Sequence, residues 1–301
     1  NADSLAVPGQ DFSGKPAGFD FSGHLWCASP MTTTPPVELN LPNPEGFLYF
    51  VADSHLDVQD APWQEFVTML DTLPDAHALI CLGDLFKVWL AHPKFWVKMH
   101  EEVMAGFARL RERTAAVAFV VGNREVLVPG NARNSDRNAL PFTHIAHDEL
   151  RLHWGPRTYR CFHGDTLNTR DRQYLRWRTI CRSRLFTGFF RNLPGPLARK
   201  IADRVEASLN HTNREFKIVF PEDEVEHFAA KVLPGTDGTF IGHFHLDREI
   251  RISDCDATLR IVPDWLAQRT VLRLDAEGQI ERLRFADGQW SSPLNDQDSG
   301  A

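Results

Sequence analysis

The stretch "FLYFVADSHLD", Phe47 to Asp57, decides how the chain is read. The unbroken apolar run "FLYFV" asks for a strand covered on both faces, because a strand with one wet face alternates. The run then meets Asp53, His55 and Asp57 with no turn between. Burying carboxylate and imidazole at the mouth of a core strand is costly unless something compensates the charge, and a metal ion is one such compensator.

The same ending recurs along the chain. "ALICLGD" stops at Gly83-Asp84, "AVAFVVGN" at Asn123, "RTYRCFHGD" runs into His163, and "GTFIGHFH" into His243 and His245. Between the first of these strands lie two amphipathic segments, "PWQEFVTMLDTL" and "FWVKMHEEVMAGFARLRERT", the former with proline near its start. Alternating strand and helix with apolar strands predicts an α/β fold with a mostly parallel sheet covered on both faces. In open α/β sheets, ligands collect at the carboxyl ends of strands, so the five tips are expected to converge. Asp53, His55, Asp84, Asn123, His163, His243 and His245 offer oxygen and nitrogen and no sulfur. That set exceeds one tetrahedral ion and suits a pair of hard or borderline divalent ions. On extended chain, residues i and i+2 point the same way, so Asp53 with His55, and His243 with His245, are expected to meet an ion from the pleat. Gly83, Gly122, Gly164 and Gly242 stand beside these donors, where a missing side chain lets backbone approach closely. A single "GD" is commonly a turn and a single "HxH" a polar edge; the five in order, each after an apolar strand, make the metal site.

Composition bounds the rest. The 301 residues are 43% hydrophobic and 24% charged, with a net charge of -7, which excludes a nucleic-acid binder by bulk electrostatics. No apolar run is long enough to span a bilayer and no secretory signal opens the sequence. Cys27, Cys81, Cys161, Cys181 and Cys255 are odd in number, widely spaced and without a CxxC pair, which points to a reducing compartment, the cytoplasm, and to small buried hydrophobes. Residues 1–45, rich in Gly, Pro, Ser and Thr, read as an irregular arm; 46–290 as the domain; 291–301 as a flexible tail. "REIRIS", "TLRIVPD" and "TVLRLDAEGQIERLRF", a hairpin turning at "AEG", make a strand-rich end.

Residues 170–233 read as helical throughout. From Arg170 to Lys200, nine positions are Arg or Lys and one is acidic, with Leu185, Phe186, Phe189 and Phe190 among them. Two readings stand: a helix packed on the body with a solvated basic face, or a cap that offers cations to a diphosphate and apolar surface to acyl chains or an anionic membrane.

The motif order D-x-H, G-D, G-N, H, G-H-x-H resembles the calcineurin-like metallophosphoesterases, from about Phe47 to Asp247. The resemblance implies a four-layer α/β/β/α sandwich. It implies that Asp53, His55, Asp84 and His245 hold one ion, and that Asp84, bridging, holds the other with Asn123, His163 and His243. Mn²⁺ is the expected metal, with Fe, Zn, Ni and Mg as alternatives. "VADSHLD", "LGDLFKVW", "VVGNRE" and "FHGDTLNTRDRQYLRWR" further resemble the UDP-2,3-diacylglucosamine pyrophosphohydrolase branch of lipid A synthesis. Members of that branch carry arginine, as Arg124 here, where phosphatases carry the motif histidine, and place a helical lid between the HGD and GHxH motifs. By that likeness a hydroxide activated by the ions attacks the diphosphate, with Asn123, His243 and Arg124 in the catalytic machinery, and the products are UMP and an acylated sugar phosphate. Arg124, Asp165, Tyr174 and Arg178 are the expected substrate contacts; Asp165 is read either as orienting a ligand imidazole or as a turn residue. A cytoplasmic enzyme, peripheral on the inner membrane, with a phosphoester or lipid-nucleotide substrate, is implied. Ser54, Lys87, Glu125 and Phe244 depart from the branch pattern, where Leu, Glu, Asp and Thr are usual, and are expected near the substrate. Two other functions remain: a phosphodiesterase or phosphatase acting on another nucleotide, sugar phosphate or phosphoprotein, and a non-enzymatic scaffold.

Overall fold

The computed structural model describes residues 34–59, 63–129, 140–169, 172–197, 200–201, 220–253 and 255–292. All fall within Thr32–Ala301, one of two units of the chain.

"FLYFV" is strand β2 (Phe47–Val51), and its residues divide between two cores. Leu48 and Phe50 face one way, into a cluster lying between two sheets; Tyr49 and Val51 face the other, into a cluster beneath helices. All four are fully buried, which is why the run does not alternate. β2 pairs in parallel with β3 (Ala76–Cys81), β3 with β5 (Ala116–Val120), and β5 with β7 (His144–Ala146). On the other side of β2 lie β13 (Thr270–Leu274), β14 (Ile280–Ala286) and β15 (Gln289–Ser291), all antiparallel. Helices α1 (Trp63–Thr72) and α2 (Lys98–Glu112) cover this sheet with Phe66, Met69, Leu70, Val103, Phe107 and Leu110.

The second sheet runs β1 (Val37–Leu41), β8 (Glu149–Trp154), β9 (Arg157–Phe162), β10 (Gly238–Ile241), β12 (Thr258–Ile261), β11 (Arg248–Arg251). Its inner face meets the first sheet; Phe50 of β2 stacks on Phe240 of β10 with ring centroids 3.9 Å apart. On its outer face α5 (Glu222–Val232) buries Val225, Phe228, Ala229 and Val232 against Phe162, Ile241, Leu259 and Ile261. The layers therefore run helix, sheet, sheet, helix, as the family resemblance implied.

Three readings need correction. The mostly parallel sheet is in fact two mixed sheets, because the chain's end returns as a hairpin antiparallel to β2, and β8 and β9 form another. Part of the arm read as irregular, Val37–Leu41, is an edge strand in parallel register with β8; its alternating Leu39 and Leu41 enter the core between the sheets. The end of the segment read as lid is α5, a layer of the sandwich. The rest of that segment holds α3 (Arg172–Cys181) and α4 (Arg184–Asn192), while 202–219, residues 1–33 and the tail 293–301 lie outside the described residues. A small pair, β4 (Trp89–Leu90) with β6 (Glu125–Val126), stands beside α4, whose Phe190 and Phe186 pack on Leu90, Leu127 and Val126.

Candidate metal centre

The tips of β2, β3 and β5 from the first sheet and of β9 and β10 from the second carry the donors, and two groups form. Asp53, His55 and His245 bring one ligand atom each to within 4.8 Å of one another, and so do Asp84, His163 and His243. Asp84 lies between the groups: Oδ2 is 3.7 Å from His55 Nε2 and Oδ1 is 3.4 Å from His163 Nε2. Asn123 Oδ1 joins the second group, 3.0 Å from His163 Nε2 and 3.1 Å from His243 Nδ1. In the first group His55 and His245 stack with Nε2 atoms 3.2 Å apart, each 4.0 Å from Asp53 Oδ1.

The backbone that brings them together is not the pleat. Asp53, His55, Asp84, His243 and His245 all have positive φ, between 41° and 72°. β2 ends at Val51, so Asp53 and His55 converge through a left-handed turn past the strand, and the expected i, i+2 alignment on extended chain is corrected. Such backbone is sparsely populated for residues with a Cβ and persists where the surroundings over-determine it. Here the loops are laced: Asp53 N–H donates to Gly83 O (3.2 Å), His55 N–H to Asp84 O (2.9 Å), and Gly242 N–H to His163 O (2.9 Å). His243 N–H donates to Asp53 Oδ2 at 2.7 Å, and Arg124 N–H to Asp84 Oδ1 at 2.9 Å.

The chemistry of the set fits divalent cations. Asp53 is fully buried and its Oδ1 has no hydrogen-bond partner among the described residues, an expensive arrangement that a cation would repair. Burial pushes Asp53 up to about 8. Burial lowers His55 to about 4 and His243 to about 3, keeping both imidazoles neutral and able to ligate. His163 Nδ1 lies 2.6 Å from Leu82 O and donates to it, which aims Nε2 at Asp84 and Asn123. Burial lowers the His163 pKa, but the Asp84 and Asp53 carboxylates outweigh burial and raise it to about 9, so an ion there would have to displace the Nε2 proton.

Arg124 holds its Nε 3.8 Å from Asp84 Oδ2 at the mouth of the site. Asp165, Tyr174 and Arg178 meet one another: Asp165 Oδ2 accepts from Tyr174 Oη and from Arg178 Nε (2.8 Å). Arg178 and Arg182 also donate to Asp148 Oδ1, at 2.8 and 2.9 Å, and Thr34 donates to Asp148 Oδ2. Among the departures, Lys87 pairs with Asp57 at 3.1 Å and Phe244 meets the Phe220 ring edge-on, while buried Glu125 turns inward to the motif loops. Sequence reasoning missed Asp148, Arg182 and the Leu82 carbonyl; the first two carried no signal beyond charge, and a carbonyl carries none.

No family model matches the chain. A UDP-2,3-diacylglucosamine hydrolase of Neisseria gonorrhoeae is 28% identical over 77% of this chain and 95% of its own. One from Sodalis glossinidius is 32% identical over 66% of this chain and 81% of its own. Among solved structures, Vps29 of Chaetomium thermophilum aligns over 82% of this chain and 94% of its own with a TM-score of 0.42 and 11% identity. An archaeal phosphodiesterase aligns over 78% and 98%, with a TM-score of 0.39 and 11% identity. At those scores the fold rests on its own sheets and layers. The relatives by sequence, together with two donor groups at the strand tips, place the chain in the UDP-2,3-diacylglucosamine hydrolase family of calcineurin-like metallophosphoesterases.

Proposed function

We propose that the chain hydrolyses the diphosphate of UDP-2,3-diacylglucosamine, releasing UMP and an acylated sugar phosphate, with two Mn²⁺ ions. Asp53, His55, Asp84 and His245 would hold one ion, and Asp84, Asn123, His163 and His243 the other. When bound, such ions supply an activated water near neutral pH and positive charge for phosphoryl oxygens. The chain's own residues do the rest. Neutral His55 and His243 keep their lone pairs for ligation at working pH. Arg124, permanently charged and forked, binds a phosphate oxygen and steadies the leaving group. Asp165 before α3 ties Tyr174 of its first turn to Arg178 of its last, and this cluster is the proposed contact for the sugar phosphate.

The observation that carries this reading is Asp84, whose two carboxylate oxygens face His55 and His163 of different donor groups. The lipid part is supported by α4. Phe186 and Phe190 dock inward while Leu185 (88% exposed) and Phe189 (58%) face outward. That surface suits acyl chains and a peripheral seat on the cytoplasmic side of the inner membrane. No helix among the described residues is long and apolar enough to cross a membrane.

The test is direct. Purified protein with Mn²⁺ should release UMP from UDP-2,3-diacylglucosamine, and Asp84→Ala and His163→Ala should abolish release. Cleavage of bis-p-nitrophenyl phosphate without release of UMP would keep the chemistry and overturn the substrate.

A further inference from the structure

Glu125 is buried, 7% exposed. It spends its carboxylate on backbone. Oε2 accepts from Gly122 N–H at 2.7 Å and Asp84 N–H at 3.1 Å; Oε1 accepts from Leu85 N–H at 3.0 Å. Asp84 returns a bond to the same loop, its Oδ1 accepting from Arg124 N–H at 2.9 Å. The loop after β3 and the loop after β5 are thus crossed by bonds in both directions. The residue held at the centre, Asp84, has a φ of 51°, backbone that needs outside support. Three orphan N–H groups at the ends of two buried strands would otherwise each carry a desolvation cost.

We propose that Glu125 is a positioning residue: its carboxylate clamps the two motif loops and thereby fixes where Asp84 presents an oxygen to each donor group. The chemistry requires two acceptor oxygens and a chain long enough to reach across from β6 to the Asp84 loop. A glutamine keeps one acceptor oxygen and turns an N–H donor toward a backbone donor, so either Leu85 N–H or the Gly122 and Asp84 N–H groups lose their acceptor. An aspartate keeps the charge and is one methylene shorter, so it retains Gly122, three residues away, and strains toward Asp84 and Leu85. The inference rests on the two-metal reading above, and its test separates the two.

Amide hydrogen exchange on the metal-free, full-length protein reads the clamp without substrate or ion. In Glu125→Gln either the Leu85 amide or the Asp84 and Gly122 amides should exchange faster than in the wild type, while those of β3 and β5 keep their protection. Glu125→Asp should fall between. With Mn²⁺ added, the exchange-coupled electron paramagnetic resonance signal of a paired site should weaken, metal affinity and kcat should drop by about 10- to 100-fold, and KM should hold. Unchanged exchange at those three amides overturns the clamp. So does a rise shared equally by β3 and β5, which would make Glu125 a stability residue only. A wild type that binds no divalent ion would sink the hydrolase reading and leave the amide result to decide the clamp.

Discussion

At Gly122 the cost of a single methyl group can be worked out. A Cβ there would sit 2.4 Å from Asp84 Oδ1 and 2.7 Å from Asp84 N, closer than atoms tolerate. Its φ is not in the left-handed region, so close approach alone demands glycine. Gly122→Ala should leave the circular dichroism spectrum intact and lower kcat by roughly 100-fold, the scale of a misplacement of about 1 Å at a reacting centre. Steady-state kinetics with saturating Mn²⁺ checks it. The donors themselves were legible in the sequence, because carboxylate, amide and imidazole at the ends of buried strands have few other uses. Their backbone was not. D-x-H fits a pleated strand as well as a left-handed turn, and neither Asp nor His signals positive φ as glycine does. Glu125 reads in the sequence as a departure near the substrate, since nothing in "GNRE" tells whether an acid faces solvent or backbone.

At the scale of elements, α3 is tied down by ion pairs and α4 by aromatics. Asp148 is nearly buried and receives both Arg178 and Arg182. Burial opposes its charge, but the two guanidinium groups outweigh burial and hold its carboxyl far below the usual range. A depressed carboxyl contributes stability above its unfolded value of about 3.9 and loses it as pH falls below that value. Asp148→Asn should therefore cost about 3 kcal/mol near neutrality, the scale of a broken buried pair, and the gap from wild type should narrow below about pH 4. Thermal melts across pH 2.5–7 would show it, and a constant gap would refute it. On α4, Leu185→Glu with Phe189→Glu should raise KM for the lipid nucleotide by roughly tenfold, about 1.4 kcal/mol of lost apolar contact. Hydrolysis of bis-p-nitrophenyl phosphate should not change. Elements with unbroken apolar runs or helical periodicity were legible. β1 was not, because its five residues are embedded in a proline-rich stretch, and two-residue β4 and β6 fall below any periodic signal. The apolar stripe of α5 fits a cap as well as a layer, so the sequence alone places it in the lid.

For the whole molecule, the donor groups are also a fastening. Asp53, His55, Asp84 and Asn123 follow strands of the first sheet; His163, His243 and His245 follow strands of the second. Each bound ion would join the two sheets at one end of the sandwich. An ion at a hundredfold excess over its Kd stabilises by about 2.7 kcal/mol, so chelation with EDTA should lower Tm by several degrees and Mn²⁺ should restore it, by differential scanning calorimetry. No shift on chelation would mean the ions are not held across the sheets. The distance in sequence between His55 and His245, 190 residues, has a further consequence. The group of Asp53 and His55 cannot close until the ribosome has delivered His245, nor the group of Asp84 and His163 until it has delivered His243. A chain stalled before His243 therefore carries neither complete donor group, and capture of the ions must wait until β10 and the turn after it have been made.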